Sequence, residues 1–248
     1  MILLLDIGNT RLKWAELRDG VLAPQSAFAH GNGDRAQRLQ DMLRTATKPD
    51  RVLISNVGGP EIAAACTDAI RARWSVEPEF VVSTAEAFGV VNAYREPEKL
   101  GVDRWLAVIA THAMQRGAAC IVSVGTAMTI DGVDASGRHL GGVIVPGPHL
   151  MISSLLSNTS DIATRMSDEQ TVHRVFANHT KAAVHQGCAQ ALAGLIDRAL
   201  AEMEREVGAR PRLLLTGGAC DIVAPLIGTH ERVEDLVLRG LAVLARGD

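Results

Sequence analysis

The sequence predicts an α/β fold in two similar halves, each opening on a strand, a tight turn and a second strand. Three observations carry this. The chain begins with an apolar run, Met1-Ile2-Leu3-Leu4-Leu5, that meets a carboxylate and a turn, Asp6-Ile7-Gly8-Asn9-Thr10. Strand-like and helix-like segments then alternate, the pattern of sheets covered by helices. About half a chain-length later the opening is repeated, as Cys120-Ile121-Val122 runs into Ser123-Val124-Gly125-Thr126 and a further strand. The repeat suggests a division into residues 1–115 and 116–248, each with its own turn.

An unbroken apolar run reads as a central strand buried on both faces. Asp6 at its end is costly in such surroundings without a cation or a hydrogen-bond donor beside it. Gly8 allows a sharp turn and close approach of a ligand to the backbone. The amides of Gly8, Asn9 and Thr10 are expected to face one concavity able to hold phosphate oxygens. Arg11 and Lys13 add positive charge. The same residues are also ordinary hairpin chemistry, since Gly-Asn is a turn dipeptide, and the turn alone does not separate the two readings.

From the turn, residues 12–17 continue as a strand, and Asp19-Gly20 turns into a third that reaches about Phe28. Asp34 is placed to cap a helix ending near Thr45, and Lys48-Pro49-Asp50 breaks it. Residues 51–57 form a buried strand, Pro60 starts a helix running to Trp74, and residues 79–82 make a short strand. The next helix follows Leu100-Gly101-Val102-Asp103-Arg104 and carries Leu106, Ile109 and Ala113 on one side. Asp103 lies at or near its start. An ordinary N-cap accounts for an aspartate there; the adjoining Arg104 offers a second account, a carboxylate and a guanidinium presented together to a polar ligand.

In the second half, residues 138–145 make a strand, with Gly141-Gly142 and Pro146-Gly147-Pro148 bracketing Val143-Ile144-Val145. Residues 150–156 begin a helix, residues 157–171 form a polar loop, and the longest helix spans 182–207. Its apolar stripe is Val184, Cys188, Leu192, Leu195, Ala199 and Met203. Gly187, Ala191 and Gly194 make a second, small-residue face suited to close packing within the chain or at a dimer seam. Leu213-Leu214-Leu215-Thr216-Gly217-Gly218 is a buried strand meeting a glycine turn, a place for an adenine or ribose to rest. A last helix near residues 238–245 closes the chain.

Composition narrows the function classes. Hydrophobic residues make up 47 % of the 248, enough for a proper core, while the net charge of −3 and a pI of about 6.2 argue against a nucleic-acid or anionic-membrane surface. The four cysteines are scattered and fit a reducing, cytoplasmic setting rather than a disulfide framework. The first residues read as a strand and not as a leader. His173, His179 and His185 are spaced by six, which does not place them on one helical face as metal ligands.

With these motifs assembled, the chain resembles the type III pantothenate kinases. The matching stretches are Asp6-Ile7-Gly8-Asn9-Thr10, Leu100-Gly101-Val102-Asp103-Arg104, Gly125-Thr126-Ala127-Met128-Thr129, Gly141-Gly142 with Pro146-Gly147, Asn178-His179-Thr180 and Thr216-Gly217-Gly218. They follow one another in order along nearly the whole chain. The resemblance implies a duplicated ribonuclease-H-like fold, shared with actin, sugar kinases and chaperone ATPases, with a nucleotide cleft between two lobes. It implies ATP-dependent phosphorylation of pantothenate, the first step toward coenzyme A. By position Asp6, Ile7, Gly8, Asn9, Thr10, Arg11, Leu12, Lys13 and Thr126 would bind ATP, with Asp6 also holding Mg2+. Tyr94, Gly101, Val102, Asp103 and Arg104 would line the pantothenate pocket, Asp103 as proton acceptor. Thr180 would reach pantothenate across a homodimer interface.

One position departs from the family pattern. Many relatives carry an aspartate where this chain has Ser123, and it helps to bind K+ or NH4+. A hydroxyl is the weaker cation ligand, so looser or differently built monovalent-cation binding is expected here. Two rival readings stand beside the family one: a superfamily kinase or phosphatase acting on a sugar or polyphosphate, and a regulator that binds nucleotide without turnover.

Overall fold

The computed structural model describes residues 1–29, 35–115, 117–158 and 175–247. The expected Asp34 cap, residues 159–171 of the polar loop and His173 lie outside them. The chain forms two compact units. The first comprises Met1–Arg116, Ser136–His139 and Asp235–Asp248, the second Gly117–Ala135 and Leu140–Glu234.

The first unit is a sheet with helices on both faces. Its strands are β1 (Ile2–Ile7), β2 (Arg11–Arg18), β3 (Val21–Leu22), β4 (Ser26–Ala29), β5 (Arg51–Asn56) and β6 (Pro78–Phe80), in the order β3-β2-β1-β5-β6 with β4 also on β2. β1 runs antiparallel to β2 and parallel to β5. The expected single third strand is two pieces. Leu17 opposes Leu22 and Leu12 opposes Phe28, so the edge carries one residue more than β2 between those pairs, a bulge around Pro24. Leu3, Leu5 and Ile7 pack with Leu12, Ile54, Met42 of α1 (Arg35–Thr45) and Ile62 and Trp74 of α2 (Pro60–Trp74). Leu4, Ala15, Leu17 and Leu53 pack on the other face with Leu106 of α3 (Val102–Ala113) and Leu241 of the chain's last helix, Leu236–Arg246. β1 is apolar up to Asp6 because both its faces are covered. A two-stranded hairpin, β7 (Glu86–Ala87) and β8 (Val90–Val91), precedes α3.

The second unit repeats this plan with β9 (Ala119–Val124), β10 (Ala127–Val133), β11 (His139–Pro146), β12 (Arg212–Thr216) and β13 (Glu231–Arg232), in the order β11-β10-β9-β12-β13. β9 is again antiparallel to its hairpin partner and parallel to the next strand. The repetition read from two short motifs is therefore one of topology. Helices α4 (Pro148–Ser157), α5 (Thr180–Val207) and the short α6 (Cys220–Val223) belong to this unit; the last helix, α7 hereafter, groups with the first. α5 begins at Thr180 because His179 caps it, its Nδ1 accepting from the Ala182 amide. Gly187 and Gly194 on α5 face open space among the described residues.

Candidate active site

Strand alternation decides which side chains meet. Asp6 shares the face of Leu4, Lys13 that of Ala15, and Ser55 that of Leu53, the face α3 covers. The register sets Asp6 opposite Lys13 on one side and opposite Ser55 on the other. Ser55 Oγ donates to Asp6 Oδ1 at 3.2 Å, and both side chains are buried. Burial pushes the Asp6 carboxyl up to about 6; Lys13 pulls it back, the Asp103 charge raises it further and the Ser55 hydrogen bond lowers it. Asp6 and Asp103, far apart in sequence, thus act on each other directly.

The cap expected of Asp103 is not what the structure shows. Gly101 is the N-cap, making no side-chain capping bond, and Asp103 sits within the first turn of α3. A Cβ on Gly101 would lie 2.8 Å from Asp103 Oδ1, so the bare glycine leaves room for that carboxylate. Its neighbour Arg104 is buried and donates from Nη1 to Tyr94 Oη at 2.8 Å. The Tyr94 loop is shaped by Asn92, whose Oδ1 accepts from the Tyr94 amide and whose Nδ2 donates to the Thr84 carbonyl.

The first turn differs in one respect from expectation. The Gly8 amide donates to the Arg11 carbonyl at 3.0 Å, closing the turn, so it is engaged inside the hairpin rather than offered to a phosphate. Asn9, Thr10 and Arg11 are exposed, and Lys13 is half-buried. Ile7 and Leu12 are core side chains, which leaves only their backbone near the turn. Gly58, after β5, closes over this turn; a Cβ there would meet the Gly8 carbonyl oxygen at 2.7 Å. The second unit holds the echo. The Gly125 amide donates to the Ala127 carbonyl, the Gly147 amide to the Thr126 carbonyl, and Thr126 itself is exposed. A Cβ on Gly217 would lie 2.3 Å from the Val124 carbonyl oxygen. Thr180 opens α5 in the same unit.

The structure therefore brings Lys13 and Asp103 each into electrostatic range of Asp6 and joins Arg104 to Tyr94 within the first unit. Two residues were missed by sequence reasoning. Ser55 is a hydroxyl interrupting a buried strand near its C-terminal end, a visible if weak signal. His139, stacked on Tyr94, gave none. Among the described residues no three His, Cys, Asp or Glu side chains gather as a metal cluster. A carboxylate pair with a lysine is the donor set that suits Mg2+ together with phosphate oxygens, since Mg2+ takes one or two carboxylates and fills its shell with water and phosphate.

The family model of the type III pantothenate kinases matches residues 2–202. This chain belongs to the type III pantothenate kinase family. Relatives named type III pantothenate kinase include one from Aromatoleum aromaticum, 39 % identical over 249 residues (100 % of this chain, 99 % of that one), and one from Nitrosococcus oceani, 36 % identical over 252 residues (99 % and 94 %). Among solved structures, a Campylobacter jejuni protein described as a Baf family transcriptional activator aligns with a TM-score of 0.61 at 20 % identity, covering 98 % of this chain and 97 % of that one. A Sinorhizobium meliloti protein described as a 2-dehydro-3-deoxygalactonokinase aligns with a TM-score of 0.61 at 13 % identity, covering 99 % and 98 %. These likenesses, with the two matching sheets, establish for this family member the duplicated ribonuclease-H-like fold of actin-like ATPases and sugar kinases.

Proposed function

We propose that this chain transfers the γ-phosphoryl group of ATP to the primary alcohol of pantothenate, giving 4'-phosphopantothenate, the first step of coenzyme A biosynthesis. Family membership over most of the chain supports the reaction. The observation that carries the assignment of roles is the convergence of Asp6, Lys13 and Asp103.

Phosphoryl transfer asks chiefly for positioning and charge neutralisation. Lys13 and the exposed part of the first turn, Asn9 to Arg11, hold the triphosphate. Ile7, Gly8 and Leu12 contribute backbone to the same surface, and Thr126 contacts ATP from the second turn. Asp6 would hold Mg2+, which when bound would neutralise phosphate charge. Asp103 accepts the proton of the attacking hydroxyl as its oxygen bonds to phosphorus and ADP departs. Gly101 and Val102 place that carboxylate, and Tyr94 with Arg104 anchors a polar part of pantothenate so that its hydroxyl stays in line. The chain works as a cytoplasmic homodimer in which Thr180 reaches the partner's pantothenate; the exposed small-residue face of α5 supports a close seam.

A monovalent cation would be held more loosely, or by a differently built site, because Ser123 stands where many relatives carry an aspartate. Tight, absolute K+ dependence in an activity titration would count against that. The decisive experiment for the reaction is ADP release measured with and without pantothenate. Release that depends on pantothenate is expected. ADP release driven instead by a sugar, or ATP binding without turnover, would overturn the assignment.

A further inference from the structure

Tyr94 is the single tyrosine of the chain and touches two buried groups. Arg104 donates to its hydroxyl and lies with Cζ 5.6 Å from the ring centroid. His139 stacks on it, centroids 6.4 Å apart and planes 13° from parallel. His139 is 2 % exposed and Arg104 6 %, while Tyr94 is half-buried and so keeps a surface for a ligand.

Backbone contacts deliver His139 to this place. The Val91 amide donates to the Gly137 carbonyl at 3.0 Å, and Val91 forms a parallel bridge with Arg138. The Ala93 amide then donates to His139 Nδ1 at 3.4 Å, one residue before Tyr94. The pairing begins where Gly137 meets Gly89. Gly137 has φ +90°, and a Cβ on it would lie 2.0 Å from the Gly89 carbonyl oxygen and 3.0 Å from His112 Cε1, so no side chain fits. Ser136–His139 accordingly groups with the first unit although most of β11 belongs to the second. A buried histidine used this way offers both a flat face and a ring-nitrogen acceptor to one short loop.

We infer that His139 is a positioning residue for the acceptor pocket. Its ring and its Nδ1 hold the Tyr94 loop so that the Tyr94 hydroxyl fixes Arg104 beside Asp103. The inference rests on the proposed role of Tyr94 and Arg104 in holding pantothenate. It is distinct from a packing role because its effect falls on one substrate.

The test uses the full-length protein labelled with 3-fluorotyrosine, which gives one 19F resonance from Tyr94, together with steady-state kinetics for both substrates. His139→Ala shifts or broadens that resonance and raises the KM for pantothenate about tenfold, with kcat and the KM for ATP changed by less than about twofold. His139→Phe keeps an aromatic face, remains folded and recovers most of the pantothenate KM. A parent-like resonance and pantothenate KM in His139→Ala would overturn the inference, as would equal losses in all three kinetic constants. A pantothenate KM as high in His139→Phe as in His139→Ala would overturn the role of the ring. Absence of pantothenate-dependent ADP release in the parent would overturn the proposed reaction instead, and the fluorine resonance would still decide whether His139 holds Tyr94.

Discussion

Replacing Asp6 by Asn is expected to make the protein more stable and inactive. The folded carboxyl titrates at about 6 against an ordinary 3.8, with burial as the main cause. A folded value above the unfolded one means that the native state holds the proton more tightly. Stability is therefore lost as pH rises from the unfolded value through the folded one, and the whole penalty stands above about pH 6. Two pKa units correspond to about 3 kcal/mol. Asparagine keeps the size and the oxygen that accepts from Ser55, and it cannot ionise. At about pH 8, with metal chelated, Asp6→Asn should raise Tm by about 6–12 °C for a chain of this size. The gain should shrink steadily as the pH is lowered from about 6 toward the ordinary value of 3.8, because the folded Asp6 carboxyl regains its proton over that range. Asp103 adds to the penalty, so the gain should be smaller in an Asp103→Asn background. Calorimetric scans of the four proteins at several pH values decide it. A gain independent of pH, or a loss of stability at about pH 8, would refute the argument that an incompletely compensated buried charge is stored at this site.

Asp103→Asn should lower kcat by about 10²–10⁴-fold, the usual worth of a general base, while ATP binding measured by calorimetric titration survives; turnover at the parent rate would remove Asp103 from that role. Gly240→Ala places a Cβ 2.3 Å from the Leu106 carbonyl oxygen, where α7 crosses α3, and should cost about 2–3 kcal/mol in denaturant unfolding. The same α3 carries Asp103, so turnover should fall with it. Tyr94→Phe leaves buried Arg104 without its 2.8 Å acceptor and should raise the pantothenate KM about tenfold while sparing that for ATP.

What was legible in the sequence follows from how local each cause is. β1 announced itself because a strand covered on both faces needs no polar residue until its end. The hairpin Asp19-Gly20 was legible because both residues take positive φ, 50° and 76°, and are the types that tolerate it. The second hairpin was not. Its turn is Phe88-Gly89, and Phe88 at φ 51° is a residue rarely found in that conformation. The bulge between β3 and β4 depends on pairing with β2, which no local pattern reveals. The start of α5 was placed two residues late because histidine is an uncommon cap. The Asp6 turn and the Asp103 helix were each visible, but their meeting followed only from the family resemblance and from no local pattern. It arises because α3 lies over the face that Leu4 and Asp6 share. His139 was hidden for the same reason at shorter range, since its partner loop pairs with it through backbone.

The two turns also show how a duplicated fold divides its labour. In the first unit the strand-end position carries Asp6, flanked in register by Lys13 and Ser55. In the second the same position carries Ser123, flanked by Thr129 and Thr216. Each turn is closed by a glycine amide and has a glycine packed close to it after the next parallel strand, but the first turn is one residue longer, Gly8 reaching the Arg11 carbonyl where Gly125 reaches that of Ala127. Charge is not kept. A set of hydroxyls bonds phosphate or ribose oxygens without the desolvation cost that a buried carboxylate bears. The first set bears that cost, and a buried carboxylate whose pKa is raised to about 6 is stabilised when a cation arrives. The charged groups are thus concentrated at the first turn, and the second offers hydroxyls and backbone alone.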